Sequence, residues 1–150
     1  MAGGSATTTG LIGEFITMAA ILEQEGWQVG HAAQDAVDVI AWHKDTFMRV
    51  QVKSAHLRQQ SDKRRPNYHF QNGSGRMSKH LPSPERMDII AHCAVDQRRV
   101  HFHARRCVFY AAESVNQFSQ RRAPSFFDKP LLEYESWQKA VEIIMETRNG

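Results

Sequence analysis

Two stretches decide how this chain folds: Ala36-Val37-Asp38-Val39-Ile40-Ala41-Trp42 and Phe47-Met48-Arg49-Val50-Gln51-Val52-Lys53, joined by His43-Lys44-Asp45-Thr46. The second alternates cleanly. Met48, Val50 and Val52 share one face, and Arg49, Gln51 and Lys53 share the other, as in a strand with one buried side. The first is a mostly apolar run of strand length, and the polar tetrapeptide between them is a turn, so the pair predicts a β-hairpin. Asp38 is out of place in such a strand. A carboxylate among apolar neighbours must be paired, protonated or bound to a cation, because burying it alone is costly.

Working outward, residues 10–25 read as a helix at about 100° per residue. Leu11, Phe15, Met18 and Leu22 fall within an arc of about 60° and are expected to face the core. Thr8 or Thr9 can cap its start and Gly26 can end it. Glu14 lies on the border of that arc, between Met18 and Ile21, and is a second carboxylate among apolar residues. Trp27 to Gly30 is a short strand. Met87 to Ala94 and Val100 to His103 form a second hairpin around Asp96-Gln97-Arg98-Arg99. Ser136 is expected to cap a last helix running to Thr147, with Trp137, Ala140, Val141 and Ile144 inward. The order of elements predicts a single α/β domain over residues 1–150, a mixed sheet of four to five strands flanked by helices. Residues 1–9 are expected to be frayed.

Charge is distributed unevenly. Residues 1–43 carry five acids and no Lys or Arg, residues 44–122 carry 16 basic and 6 acidic side chains, and residues 123–150 carry 3 and 5. A basic middle between acidic ends suits a polyanion-binding surface beside a separate cluster of carboxylates. The chain starts with neither a basic, apolar secretory signal nor an arginine-rich presequence, so a cytoplasmic protein of prokaryotic or phage type is expected. The longest apolar runs, such as Met18-Ala19-Ala20-Ile21-Leu22, are too short to cross a bilayer. Two cysteines, Cys93 and Cys107, make no disulfide framework.

The stretch from His56 to Arg86 is polar and aperiodic, with a short strand expected at Tyr68-His69-Phe70. Such a segment inside a compact domain is a functional loop or β-ribbon. Arg58, Lys63, Arg64, Arg65, Arg76 and Lys79, interleaved with Tyr68, Gln71 and Asn72 and joined by Arg49, suit phosphate clamping and base-edge contact with double-stranded DNA. A merely solvated loop is the alternative. His101-x-His103 near Cys93 and Cys107 invites a zinc site, but the spacing matches no standard finger or ribbon.

Antiparallel pairing through the hairpin can bring Asp38 near Gln51 and Lys53, with Glu14 laid over the same end by the preceding helix. Two acids and an amide oxygen suit Mg²⁺. A cation there lets a phosphate approach, and the lysine can steady or deprotonate an attacking water. The alternative is a structural ion pair of Lys53 with Glu14 or Asp38.

These residues resemble the PD-(D/E)xK nuclease superfamily, the restriction-endonuclease fold. The likeness runs over Gly10-Leu11-Ile12-Gly13-Glu14, Gly26-Trp27-Gln28-Val29, Val37-Asp38-Val39-Ile40, Val50-Gln51-Val52-Lys53-Ser54 and Met87-Asp88-Ile89-Ile90-Ala91. It is closest to the small bacterial intron-encoded homing endonucleases of that fold. The resemblance implies Glu14, Asp38 and Gln51 as metal ligands, the Val52 carbonyl as a fourth, and Lys53 as the water-activating or phosphate-contacting residue. It implies Mg²⁺, with Mn²⁺ able to substitute, and DNA hydrolysis to 5′-phosphate and 3′-hydroxyl ends. Because one such site cuts one strand, a homodimer or homotetramer is expected. Gln51 stands where most members carry Asp or Glu, which removes one negative charge. A structure-specific nuclease, such as a junction resolvase or repair enzyme, and an inactive DNA-binding module are the competing expectations.

Overall fold

The expected hairpin is present and forms the middle of a five-stranded sheet. The structure, a computed structural model of the chain, describes residues 6–34, 37–59, 65–72, 87–109 and 119–149. Its elements in chain order are α1 (Ala6–Leu22), β1 (Gln28–Gln34), β2 (Val37–His43), β3 (Thr46–Ala55), β4 (Tyr68–Gln71), β5 (Ile89–Ala94), β6 (Arg99–Ala104), α2 (Arg105–Phe109), β7 (Ser119–Arg122), a 3-10 turn at Pro124–Asp128, and α3 (Leu132–Asn149). The main sheet has the order β1-β2-β3-β5-β6, and β4 pairs with β7 in a separate two-stranded ribbon. Pairing is antiparallel except between β3 and β5, which run parallel. The mixed α/β architecture is therefore as expected. Strand β7, which no periodicity announced, is the addition.

Cross-strand register sorts the side chains into two faces. Val39, Ala41, Met48, Val50, Ile89, Ala91, Cys93, Val100, Phe102 and Ala104 pack with Ala20 and Ile21 of α1 and with Trp137, Ala140 and Ile144 of α3. The other face carries Gln51 and Lys53 of β3, paired in register with Ile90 and His92 of β5. The ribbon covers part of that face, burying Tyr68 and Phe70 with Ala55, Ala94, Phe127 and Leu132. Covered on both sides, β5 is buried at every position, which explains its continuous apolar reading. Trp137 joins the layers edge-on to Trp27 at 5.0 Å and to Phe102 at 4.9 Å.

Helix α1 turns the opposite way from the sequence expectation. Leu11, Phe15 and Leu22, placed in the core by periodicity, are exposed, whereas Thr17, Ala20, Ile21 and Gln24 are buried. A narrow, small-residue face lets the helix approach the sheet closely. The contact is tightest at Gly13, where an added Cβ would collide with Ser54 Oγ and lie 2.9 Å from Ser54 Cβ. Apolar residues nearly surround α1, so local pattern could not choose the buried arc. Helix α1 spans Ala6–Leu22, so it begins ahead of Thr8 and Thr9, the expected caps, and takes in residues expected to be frayed. It stops short of Gly26, which closes the following turn with a φ of +84° and whose missing Cβ leaves room for the His43 ring.

Helix α3 also begins earlier than expected, at Leu132, which puts Ser136 inside it. The Ser136 hydroxyl does not cap α3. It accepts the Phe102 N–H at 3.1 Å, while Glu133 Oε2 accepts the Val100 N–H at 2.9 Å. Side chains of α3 thus occupy outward donors of the edge strand β6, where another strand could otherwise add. No described helix is long and apolar enough to cross a membrane.

The close approach at Gly13 reverses the usual effect of alanine in a helix. Gly13→Ala is expected to lower stability by about 1–3 kcal/mol through overpacking. Gly10→Ala, where a methyl meets nothing within 4 Å, is expected to raise it by about 0.5–1 kcal/mol. Urea denaturation of the two variants checks the pair.

Candidate functional site

Asp38 sits where strand pairing fails on both sides. The β2–β3 register runs from His43 opposite Thr46 to Val39 opposite Val50 and stops there, although both strands continue. On its other side β2 meets an irregularity in β1 between His31 and Gln34, and such bulges re-aim side chains next to sites. In the opening, the Val52 N–H donates to Asp38 Oδ2 at 2.8 Å. A carboxylate takes the place of a strand carbonyl. The N–H and C=O of one strand residue point to the same side, so the Val52 carbonyl faces the same opening.

The Gly13–Ser54 contact delivers the next residue of α1, Glu14, to this end of β3. Its side chain is 19% exposed, and Oε1 lies 2.7 Å from His31 Nε2. Burial raises the pKa of Asp38; the Val52 N–H opposes that shift, Glu14 adds to it, and Lys53 and His31 again oppose it. Those influences put Glu14, Lys53 and His31 in one electrostatic neighbourhood around the Asp38 carboxyl. Gln51 is 8% exposed, and its Oε1 is buried with no hydrogen-bond partner. A buried amide oxygen left unpaired is costly unless something satisfies it.

The structure therefore brings Glu14, Asp38, Val52 and Lys53 into one neighbourhood, with Gln51 beside Val52 in β3. It adds His31, which sequence reasoning missed. His31 is bonded to Glu14 and stacked on Phe15 at 6.1 Å. Its only local signal was a polar residue following Val29 with strand spacing. Among the described residues no three His, Cys, Asp or Glu side chains form a ready metal shell. The oxygen donors here are two carboxylates, one unsatisfied amide oxygen and a backbone carbonyl, a hard set whose chemistry fits Mg²⁺.

Several residues expected to contact DNA are placed otherwise. Arg49 donates from Nε and Nη2 to the Asp88 carboxylate at 3.1 Å each, and its N–H adds a third bond at 2.8 Å. Arg148 pairs with the same carboxylate at 3.3 Å. Burial alone would raise the Asp88 pKa, but these partners hold it below the ordinary carboxylate value. Tyr68 is fully buried and donates to Asp96 at 2.8 Å; burial and Asp96 push its hydroxyl up to about 12. Asn72, also fully buried, holds His92 at 2.6 Å. Their polarity marked buried hydrogen bonds, not a surface. Lys63, Arg64, Arg76 and Lys79 lie outside the described residues.

What remains forms the outer side of the ribbon. His69 pairs across strands with Arg121, and Gln71 with Ser119. Arg58 lies 3.4 Å from His69 Nδ1, and Arg65 is exposed nearby in sequence. Burial, Arg121 and Arg58 all depress the His69 pKa. Among the described residues no carboxylate forms an ion pair with Arg58 or Arg121. Of the residues that invited a zinc site, Cys93 is on the opposite sheet face from the two histidines. Cys93 packs in the core between sheet and helices, away from His101 and His103, and Cys107 is exposed.

No protein-family model matches the chain, and no curated protein sequence matches it. Among solved structures it is similar to the bacterial homing endonuclease I-Ssp6803I, with a TM-score of 0.64 and 18% identity over 98% of this chain and 99% of that one. At that identity the likeness establishes the fold.

The raised pKa gives a signed prediction. Ionised Asp38 costs folded-state stability once pH exceeds the ordinary carboxylate value, and the cost vanishes below it. Asp38→Asn is therefore expected to raise the melting temperature of metal-free protein at pH 7 and to leave it nearly unchanged at pH 3. Calorimetry at the two pH values is the check.

Proposed function

We propose that this chain is a Mg²⁺-dependent DNA endonuclease of the PD-(D/E)xK type, of the site-specific homing kind, leaving 5′-phosphate and 3′-hydroxyl ends. The observation that carries the reading is the opening between β2 and β3, where the Asp38 carboxylate takes the Val52 N–H and feels the charges of Glu14 and Lys53, with the unsatisfied oxygen of Gln51 one residue along β3 from Val52. The fold shared with I-Ssp6803I, described as a bacterial homing endonuclease, supports it.

Glu14, Asp38, Gln51 Oε1 and the Val52 carbonyl would hold the cation, Mg²⁺ or Mn²⁺. Bound there, it would polarise the phosphate and lower the pKa of a coordinated water. The chain's own groups supply the rest. Asp38, fixed by the Val52 N–H, keeps one oxygen oriented. His31 holds Glu14 in place across the helix–sheet gap. Lys53, at the neighbouring outward position of β3, steadies the attacking water or neutralises charge on the scissile phosphate. The outer ribbon face, with Arg58, Arg65, Gln71 and Arg121, grips the duplex. Arg58 and Arg121, which flank His69 on this face, would bind backbone phosphates. Because one site cuts one strand, a double-strand cutter would assemble as a homodimer or homotetramer.

The neutral Gln51 favours a second reading, a DNA-binding module that no longer cuts. A structure-specific nuclease such as a junction resolvase is separated by its substrate. Plasmid and four-way junction are incubated with Mg²⁺ or with EDTA. Cutting of plasmid at one place supports the homing reading, cutting of the junction alone supports the resolvase, and binding without cutting supports the module.

Lys53→Ala is expected to slow Mg²⁺-dependent cleavage by at least about a hundredfold while duplex binding in EDTA stays near wild type. Undiminished cutting by that variant would overturn the assignment. Duplex affinity is expected to fall linearly on a log–log salt plot, and Arg58→Ala and Arg121→Ala should each flatten the slope by about one unit. Binding titrations at several salt concentrations measure it.

A further inference from the structure

Three imidazoles lie on the sheet face that carries Gln51 and Lys53. Register places His92 beside Lys53, and His101 beside His92, while His103 follows Ile90 in the neighbouring row. His92 is fully buried, stacked on Phe70 at 4.4 Å. Its Nε2 lies 2.6 Å from Asn72 Oδ1 and its Nδ1 3.1 Å from His103 Nε2. Because an amide oxygen only accepts, His92 donates from Nε2 and accepts at Nδ1, so His103 donates from Nε2. Burial holds His101 at about 4 and His103 at about 2, and pushes His92 well below its ordinary value. All three are neutral at pH 7.

Beyond His103, at the β6 edge, opens a cavity of about 260 Å³, lined by His101, His103, Cys107, Arg122, Ser136 and Lys139 among others. Its volume is below the roughly 300 Å³ at which sites for drug-sized ligands begin. Arg122 is the unusual member. It sits opposite Tyr68 in the ribbon, donates from Nη2 to Gln120 at 3.1 Å, and lies over the Phe126 ring at 4.7 Å. Its Nε is buried with no hydrogen-bond partner, and so is His101 Nδ1. Lys129 lies over the same Phe126 ring at 4.3 Å, so two cations share one aromatic. Glu133, the carboxylate that acts on His101, is itself committed to Arg99 at 2.8 and 2.9 Å and to the Val100 N–H. None of the lining residues is acidic. A half-buried guanidinium with an unsatisfied donor, and no described carboxylate paired to it, lacks its complement.

We propose that this cavity is an oxyanion site, taking a phosphate-class ligand on Arg122 Nε, His101 Nδ1–H and the Lys139 ammonium. A neutral imidazole can place its single proton on Nδ1 and donate it to the anion. The ligand is free phosphate, a phosphate monoester, or one phosphate of a nucleic-acid backbone. The site is separate from the Asp38 opening, with buried His92 between them, and it does not rest on the nuclease reading.

Inorganic phosphate is titrated into the full chain at pH 7, metal-free and at constant ionic strength, with chloride as control. The side-chain ¹⁵N–¹H signal of Arg122 Nε and the His101 ring nitrogens are followed by NMR. A saturable shift of both with phosphate and none with chloride is expected. Arg122→Met should abolish it. Lys139→Met, at an exposed helical position that leaves the fold intact, should weaken it by roughly tenfold. Absence of saturation, an equal response to chloride, or wild-type affinity in Lys139→Met together with an unchanged His101 response in Arg122→Met would overturn the proposal. A short duplex added to the phosphate complex separates the sources. If phosphate is displaced and Arg122 Nε stays shifted, a backbone phosphate fills the site; if phosphate remains bound, the ligand is the free anion.

Discussion

The bond from the Val52 N–H to the Asp38 carboxylate is the interaction around which the rest of the candidate site is arranged. A mixed sheet would ordinarily continue its β2–β3 ladder to the ends of both strands. Here the ladder stops at Val39 and Val50, and the side chain of Asp38 satisfies a donor that would otherwise be stranded. The same substitution of side chain for backbone opens the sheet wide enough for polar groups to enter. Without the Val52 N–H, a half-buried carboxylate there would carry its desolvation cost with less compensation.

That opening needs a helix close enough to deliver the second carboxylate. Gly13 provides the approach by omitting the one carbon that would strike Ser54, and Thr17 and Ala20 continue the narrow face along the helix. The consequence is an outward apolar stripe, with Leu11, Phe15 and Leu22 exposed. Core packing of the sheet is supplied mainly by α3 through Trp137, Ala140 and Ile144. Structure and site are therefore divided between the helices: α3 fills, α1 positions.

Opposite the helices, the ribbon of β4 and β7 covers buried polar groups as well as apolar ones. Tyr68 with Asp96 and Gln97, and His92 with Asn72 and His103, form buried hydrogen-bond networks that fix the ribbon on the sheet. Arg49 with Asp88 and Arg148 closes the far end of β3 in the same way. Arg122 is the member of this layer whose Nε is left unsatisfied.

The sequence alone determined the hairpin, the mixed α/β class and the placing of Gln51 and Lys53 on one face of β3, because strand alternation and turn residues are local signals. It also marked Glu14, since a carboxylate bordering an apolar arc is visible in any helical projection. Only tertiary structure decided which arc of α1 is buried, because helix–sheet distance depends on side-chain size at the contact, not on total hydrophobicity. The same holds for His31, whose role depends on a partner 17 positions away. Arg49, Tyr68 and Asn72 read as surface chemistry because a polar side chain looks the same in sequence whether water or a buried partner receives its hydrogen bond. Composition records what must be satisfied; the fold decides by whom.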